Sequence, residues 1–272
     1  MKRASVGRLI AALPWLAAIA VSAGCSLMPG TPSEPAAENL DKLYAEAKSD
    51  LDGGAWDRAI KALERIDARA SGTLLGQQAL LDLAYAQWKS TERTTALATV
   101  DRFIKLHPSS PAFDYALYLR GMINFNDATG WLGRLSGQSI SERDQRASRD
   151  AWQSFNQLVS QFPASRYAPD ARLRMDYIVN ALAEHEVSVA RYYLRRGAYL
   201  AAANRARQAV TEFDRAPAAE EGLAIMAESY DRLGLNDLRD AAQRVLRTNF
   251  PDSRFLASAA EGAARRPWWR PW

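Results

Sequence analysis

The chain has 272 residues, 48% of them hydrophobic, which is enough to bury a sizeable core. Lys and Arg number 35 against 31 Asp and Glu, and the formal net charge of +4 permits acidic partners or anionic lipid without demanding nucleic acid. The charges are interspersed as on solvated helix faces, no basic stripe or nucleic-acid-reading module is visible, and the single cysteine, Cys25, excludes an internal disulfide or a cysteine-built zinc site.

Residues 1–24 read as a signal peptide. Lys2, Arg3 and Arg8 make a positive start, and Leu9 to Val21 is an apolar core too short to span a bilayer as a helix. Ala23, Gly24 and Cys25 follow, the pattern of a bacterial lipoprotein signal in which the cysteine becomes the lipidated first residue. Ser26 stands where an aspartate would resemble an inner-membrane retention signal, which favours the outer membrane. Several acyl chains, palmitate among them, would hold the protein durably on lipid. Residues 25–38 hold Pro29, Gly30, Pro32 and Pro35 and read as a flexible tether.

From residue 39 the periodicity is helical, and alanine-rich, arginine-rich composition favours helix throughout. Asn39 is placed to cap the first helix. Five helical hairpins of tetratricopeptide (TPR) type are predicted, at about 39–71, 73–108, 110–163, 165–214 and 217–251, so the fold class is all-α, a tandem TPR-like α-solenoid over 39–253. Gly54, Trp56, Ala59 and Leu63 carry the pattern in the first hairpin. Leu80, Ala84, Ala96, Val100 and Phe103 carry it in the second, and Leu117, Gly121, Ala151 and Phe155 in the third.

The third hairpin is interrupted by a glycine-rich insertion around 126–142 with Trp131 and Leu132 in it, either a binding loop or one that folds back on the array. The stretch from Tyr167 to Arg196 is long enough for one helix or two. Gly197 then suits a left-handed helix end, Tyr199 closes the turn, and Ala202, Ala206 and Ala209 lay an alanine stripe on the next helix. In the last hairpin Leu223, Ala227 and Tyr230 face inward, with Ala241 and Val245 completing the pattern. The segments Phe162-Pro163-Ala164-Ser165-Arg166-Tyr167 and Phe250-Pro251-Asp252-Ser253-Arg254-Phe255 echo each other at repeat ends. Residues 254–264 are assigned to a capping helix and 265–272 to a basic, Trp-rich tail.

Catalytic patterns are missing. His107 and His185 lie in different repeats, one before a helix-ending proline and one between Glu184 and Glu186, and both read as solvated or packed. No phosphate-binding loop, dinucleotide fingerprint, His-Glu-x-x-His or nucleophile elbow is present. The expectation is a non-enzymatic binding scaffold with no cofactor beyond the covalent lipid on Cys25 and no metal. Its stacked hairpins would leave a groove suited to extended peptides.

Several stretches are more specific than the generic repeat: Asp101 to Pro108, Asp114 to Gly121, Ser141 to Asp144, Ser188 to Tyr193, and Arg196-Gly197-Ala198-Tyr199 running into Asn204-Arg205. With the signal and the hairpins, the chain resembles the BamD family, TPR lipoproteins of the outer-membrane β-barrel assembly (BAM) machinery. The resemblance implies a lipid anchor on the periplasmic face of the outer membrane of a Gram-negative bacterium. It implies binding to the polypeptide-transport-associated domains of BamA, association with other lipoproteins such as BamC, and receipt of unfolded barrel substrates through their C-terminal signal. By the same resemblance Arg205 is the key BamA contact, with Asn204, Arg196 and Tyr199 beside it. The N-terminal repeats would form the substrate groove, with Tyr44, Trp56 and Tyr85 as linings; the other reading of these three is core packing. The alternative function is a periplasmic TPR lipoprotein that organises cell-wall or division machinery.

Overall fold

The structure, a computed structural model, describes residues 39–125 and 142–256, the side chains of 142–144 excepted. The signal peptide, Cys25, the tether, the 126–141 insertion and the 265–272 tail lie outside the described residues. So does the 254–264 segment beyond its first turn, where Arg254 to Leu256 are helical.

Among the described residues the regular elements are ten helices and no strand: α1 (Leu40–Asp52), α2 (Trp56–Ala70), α3 (Leu74–Lys89), α4 (Arg93–Leu106), α5 (Phe113–Asn124), α6 (Glu142–Gln161), α7 (Ala168–Arg195), α8 (Tyr199–Glu212), α9 (Ala218–Arg232) and α10 (Asn236–Asn249). From α2 on, each helix packs mainly on its neighbours in sequence, the order expected of stacked hairpins. The α-solenoid of TPR-like hairpins is therefore the observed fold class. The stretch left open between one helix and two is the single 28-residue helix α7. Nothing between Pro169 and Arg195 can break it, since the segment holds neither glycine nor a further proline.

Two local devices build the hairpins. Inside four of them, the first helix ends with a residue in the left-handed region: Gly54, Gly197 and Gly234 at φ 71–73°, and Thr91 at 72°. In each case the next N–H reaches back five residues to close the turn, as Ala55 does to the Asp50 carbonyl at 2.8 Å and Glu92 to Gln87 at 2.8 Å. Glycine adopts that conformation without strain; Thr91, β-branched, does not.

Between hairpins a second device recurs. The Ser165 N–H donates to Phe162 at 3.0 Å, the Ser165 carbonyl accepts from Ala168 at 3.0 Å, and its Oγ accepts from the Tyr167 N–H at 3.2 Å. Ser253 repeats all three bonds with Phe250, Leu256 and Phe255. Ser110 repeats them a third time with His107, Phe113 and Ala112. The serine thus takes up two successive N–H groups at the start of the helix that follows, one with its hydroxyl and one with its carbonyl.

Packing differs along the array. In the middle, Phe155 is fully buried against Gly121, where a Cβ would overlap its ring. Helix α7 contributes Ala168, Ala171, Ile178, Leu182 and Ala183 to that central core, and Val187, Ala190 and Leu194 to a second core with α8 and α9. On α8 the predicted stripe is real: Ala202, Ala206 and Ala209 are fully buried. On α10 the expected inward residue, Val245, is 42% exposed, and Ala242 and Leu246 are buried instead. The apolar face lies one residue further along than the spacing from Ala241 suggested.

Candidate functional site

The family-specific residues cluster at the α7–α8 turn, and each is engaged by its own neighbour. Arg196 caps the end of α7 and lays its guanidinium 5.2 Å from the centre of the Tyr192 ring. Tyr199, the first residue of α8, packs partly buried against the alanine-lined core. Asn204 is exposed, and its side-chain oxygen accepts from Arg207 at 3.2 Å. Arg205 donates through Nη1 to the Glu186 carboxylate at 3.1 Å and to Gln208 at 3.5 Å.

The Arg205 pair is asymmetric. Its side chain is 45% exposed, whereas that of Glu186 is 3% exposed. Glu186 sits on the buried stripe of α7, four residues after Leu182 and four before Ala190. A carboxylate there needs a cation, because an unpaired buried charge is strongly unfavourable. Burial also holds the neighbouring His185 imidazole below its usual range, offset by the Glu186 charge and reinforced by Arg205, and its Nδ1 is buried without a protein partner. Nearby, Arg191 grips Glu221 of α9 through both carboxylate oxygens at 2.6 and 2.7 Å, the fork geometry that fixes helix register. Much of the charge in this region is spent on holding helices to one another.

The N-terminal aromatics sit in a different setting. Tyr44 on α1 donates to Asp82 Oδ2 on α3 at 2.7 Å, and Lys48 approaches the same oxygen at 3.6 Å. Trp56 meets Tyr85 edge-on with centroids 6.1 Å apart, and Tyr85 meets Trp88 at 6.0 Å. The Lys89 ammonium lies 6.0 Å from the Trp56 ring centre and 5.6 Å from that of Trp88. All three tyrosine and tryptophan linings named from the sequence are half-buried.

A cleft of about 570 Å³ opens beside them, between α3, the α4–α5 turn, the start of α5 and the turn before α7. Leu74, Leu81, Asp82, Asp114, Tyr115 and Tyr167 are among its walls. Of the aromatics named from the sequence, none lines this cleft directly, although Tyr44 reaches its Asp82 wall. Tyr115 and Asp82 are the residues that sequence reasoning missed. Burial, and then the Asp82 charge, push the Tyr115 hydroxyl well above the ordinary phenol range, and burial and the Asp82 hydrogen bond do the same to Tyr44. The signal that could have found Asp82 is its place in Ala79-Leu80-Leu81-Asp82-Leu83-Ala84, a lone charge inside an apolar run.

Neither region gathers a nucleophile, base and oxyanion donor. Among the described residues no group of three or more His, Cys, Asp or Glu could hold a metal ion, and no helix is long and apolar enough to cross a membrane.

Tandem helical hairpins, a side-opening cleft and a charge-paired turn define a helical-repeat scaffold. Comparison with known proteins gives the family. A family model described as YfiO, outer membrane lipoprotein, matches residues 36–246. "Outer membrane protein assembly factor BamD" of Neisseria meningitidis (strain Z2491) is 45% identical over 234 residues, covering 86% of this chain and 87% of that protein. The Vibrio cholerae protein of the same name is 34% identical over 238 residues, covering 87% and 97%, and that of Haemophilus influenzae 34% over 242 residues, covering 89% and 91%. The chain belongs to the YfiO family, that of the BamD assembly factors. Fold and family together make it a non-enzymatic scaffold.

Proposed function

We propose that this protein is a lipid-anchored subunit of the β-barrel assembly machinery on the periplasmic face of the outer membrane. In this reading Cys25 carries the lipid and the hairpins carry the partners. What supports it most is the 45% identity to an outer membrane protein assembly factor across 86% of the chain. The α7–α8 turn, with Arg196, Tyr199, Asn204 and Arg205, is the BamA surface, and BamC-like lipoproteins join the same array. Both bonds of Arg205 leave from Nη1, so Nε and Nη2 are available for a carboxylate on BamA. The hairpins α1–α5 receive unfolded barrel substrates.

Purification of the acylated protein from outer membranes in mild detergent tests the assignment. Co-recovery of a large β-barrel subunit is expected, with fatty acyl mass on the peptide that begins at Cys25. Recovery of cell-wall synthases in its place would move the protein to the wall-organising alternative.

A further inference from the structure

The chemistry of the α3–α5 cleft is selective. Its apolar walls are Leu74, which is 77% exposed at the rim, and Leu81. Its aromatic walls are Tyr115 and Tyr167, whose rings lie 5.4 Å apart. Its charged walls are Asp82 on α3, Asp114 on α5, and Arg166. Arg166 is committed elsewhere: its guanidinium lies over the Tyr167 ring at 4.8 Å and bonds the Tyr167 hydroxyl. Asp114 is also occupied, taking the Ser165 hydroxyl at 2.6 Å and the Tyr115 N–H at 2.7 Å. Asp82 is the unbalanced group. Its buried carboxylate has one neutral donor, Tyr44, and a half-exposed ammonium, Lys48, at 3.6 Å, which is longer than a hydrogen bond.

A buried carboxylate with only a loosely held counter-ion attracts a cation through charge and through the hydrogen bonds that a cation can donate to it. At Asp82 the floor disfavours an anion, because a second carboxylate would meet the charges of Asp82 and Asp114, which Arg166, bound to Tyr167 and beside Asp114, offsets only in part. We propose that this cleft takes an extended peptide that presents a basic side chain to Asp82 and an apolar side chain to Leu74 and Leu81. The claim rests on the reading of α1–α5 as the surface that receives unfolded chains. It adds a charge preference to that surface. Lys48 serves as the resident counter-ion, which the incoming lysine or arginine displaces.

Fluorescence anisotropy of the full chain with three labelled twelve-residue peptides tests this. The peptides alternate apolar and small polar residues and differ at one central position: lysine, norleucine or glutamate. The lysine peptide is expected to bind about tenfold more tightly than the glutamate peptide, the size of one well-placed charge contact. In Asp82→Asn the advantage of lysine over norleucine is expected to vanish while the norleucine peptide keeps its affinity. Asp82→Asn also removes a partner of Tyr44, so a second variant guards against a folding defect. Lys48→Ala removes only a half-exposed side chain and is expected to tighten the lysine peptide about threefold by clearing the competing ammonium. Equal binding of all three peptides, or a lysine peptide unaffected or weakened by Lys48→Ala, overturns the charge preference alone. Binding of none of them overturns both the preference and the peptide-receiving reading of these hairpins.

Discussion

Two stretches of the described array, around α8 and around α3, differ in what borders their packed faces. Around α8 the contacts are made by alanine: Ala202, Ala203, Ala206 and Ala209 are all essentially buried, and Gly222 of α9 comes so close that a Cβ there would press on Val210. Small residues let backbones approach, and the charges that remain, Arg205 with Glu186 and Arg191 with Glu221, bind helix to helix. Around α3 the buried face is again small and aliphatic, with Gly76, Ala79, Leu80, Leu83, Ala84 and Ala86 inside, but Trp56, Tyr85 and Trp88 lie half-buried at its edge, not far from a cleft with a carboxylate in its wall. Charges drawn between packed helices are consumed internally; a carboxylate at the edge of the core, in a cleft wall, is left on offer to a ligand.

The sharpest way to break this contrast is to overfill the alanine side. Ala206→Leu should cost about 3 kcal/mol, the upper part of the range for overpacking, in urea denaturation. A loss under about 1 kcal/mol would mean that α8 and α9 are not in close contact. Next is the ion pair. Arg205→Ala strands the buried Glu186 and should cost about 2 kcal/mol, below the full value for a buried pair because the guanidinium is half exposed. The double variant Arg205→Ala, Glu186→Gln should regain most of that. If stability returns and BamA binding does not, Arg205 touches the partner itself; if both return, its part was to hold α7 against α8.

On the tyrosine side, Tyr44→Phe removes one hydrogen bond to Asp82 and should cost about 1 kcal/mol. A neutral result would place Tyr44 outside the support of the cleft. A smaller effect concerns His185. Its pKa in the folded chain lies below the ordinary 6.5 of the unfolded chain, mainly through burial. The unfolded state therefore takes up the proton first, and stability falls as pH drops through about 6.5 until the folded imidazole also titrates. His185→Gln should flatten that part of the pH–stability curve. Smallest, and of opposite sign, Thr91→Gly relieves a left-handed threonine and should stabilise by about 0.5 kcal/mol after the entropy of the added glycine.

Much of the fold was legible because its devices are local. Gly54, Gly197 and Gly234 announce their turns by residue type, but Thr91 does the same job in disguise, and only its φ reveals it. The echo at Ser165 and Ser253 could be read from neighbouring phenylalanines and prolines, while its third copy at Ser110 was hidden because His107 replaces the phenylalanine. The slip of one position at Val245 shows how a short helix with few large apolar residues leaves its phase undetermined. The sites were harder. Arg205 was placed by likeness to a family, but its partner Glu186 is 19 residues away on another helix and stood out only as a neighbour of His185. Tyr44 and Asp82 are 38 residues apart, and no periodicity links them. Pairings across helices depend on how hairpins stack, which a pattern along one strand of text does not contain.

One beam runs through both halves. With 28 residues, α7 is about 42 Å long, twice the span of α8, and its two ends belong to different cores. Neither core can dissolve without taking a stretch of that shared rod with it. The array should therefore melt as a single cooperative unit rather than shedding hairpins from one end.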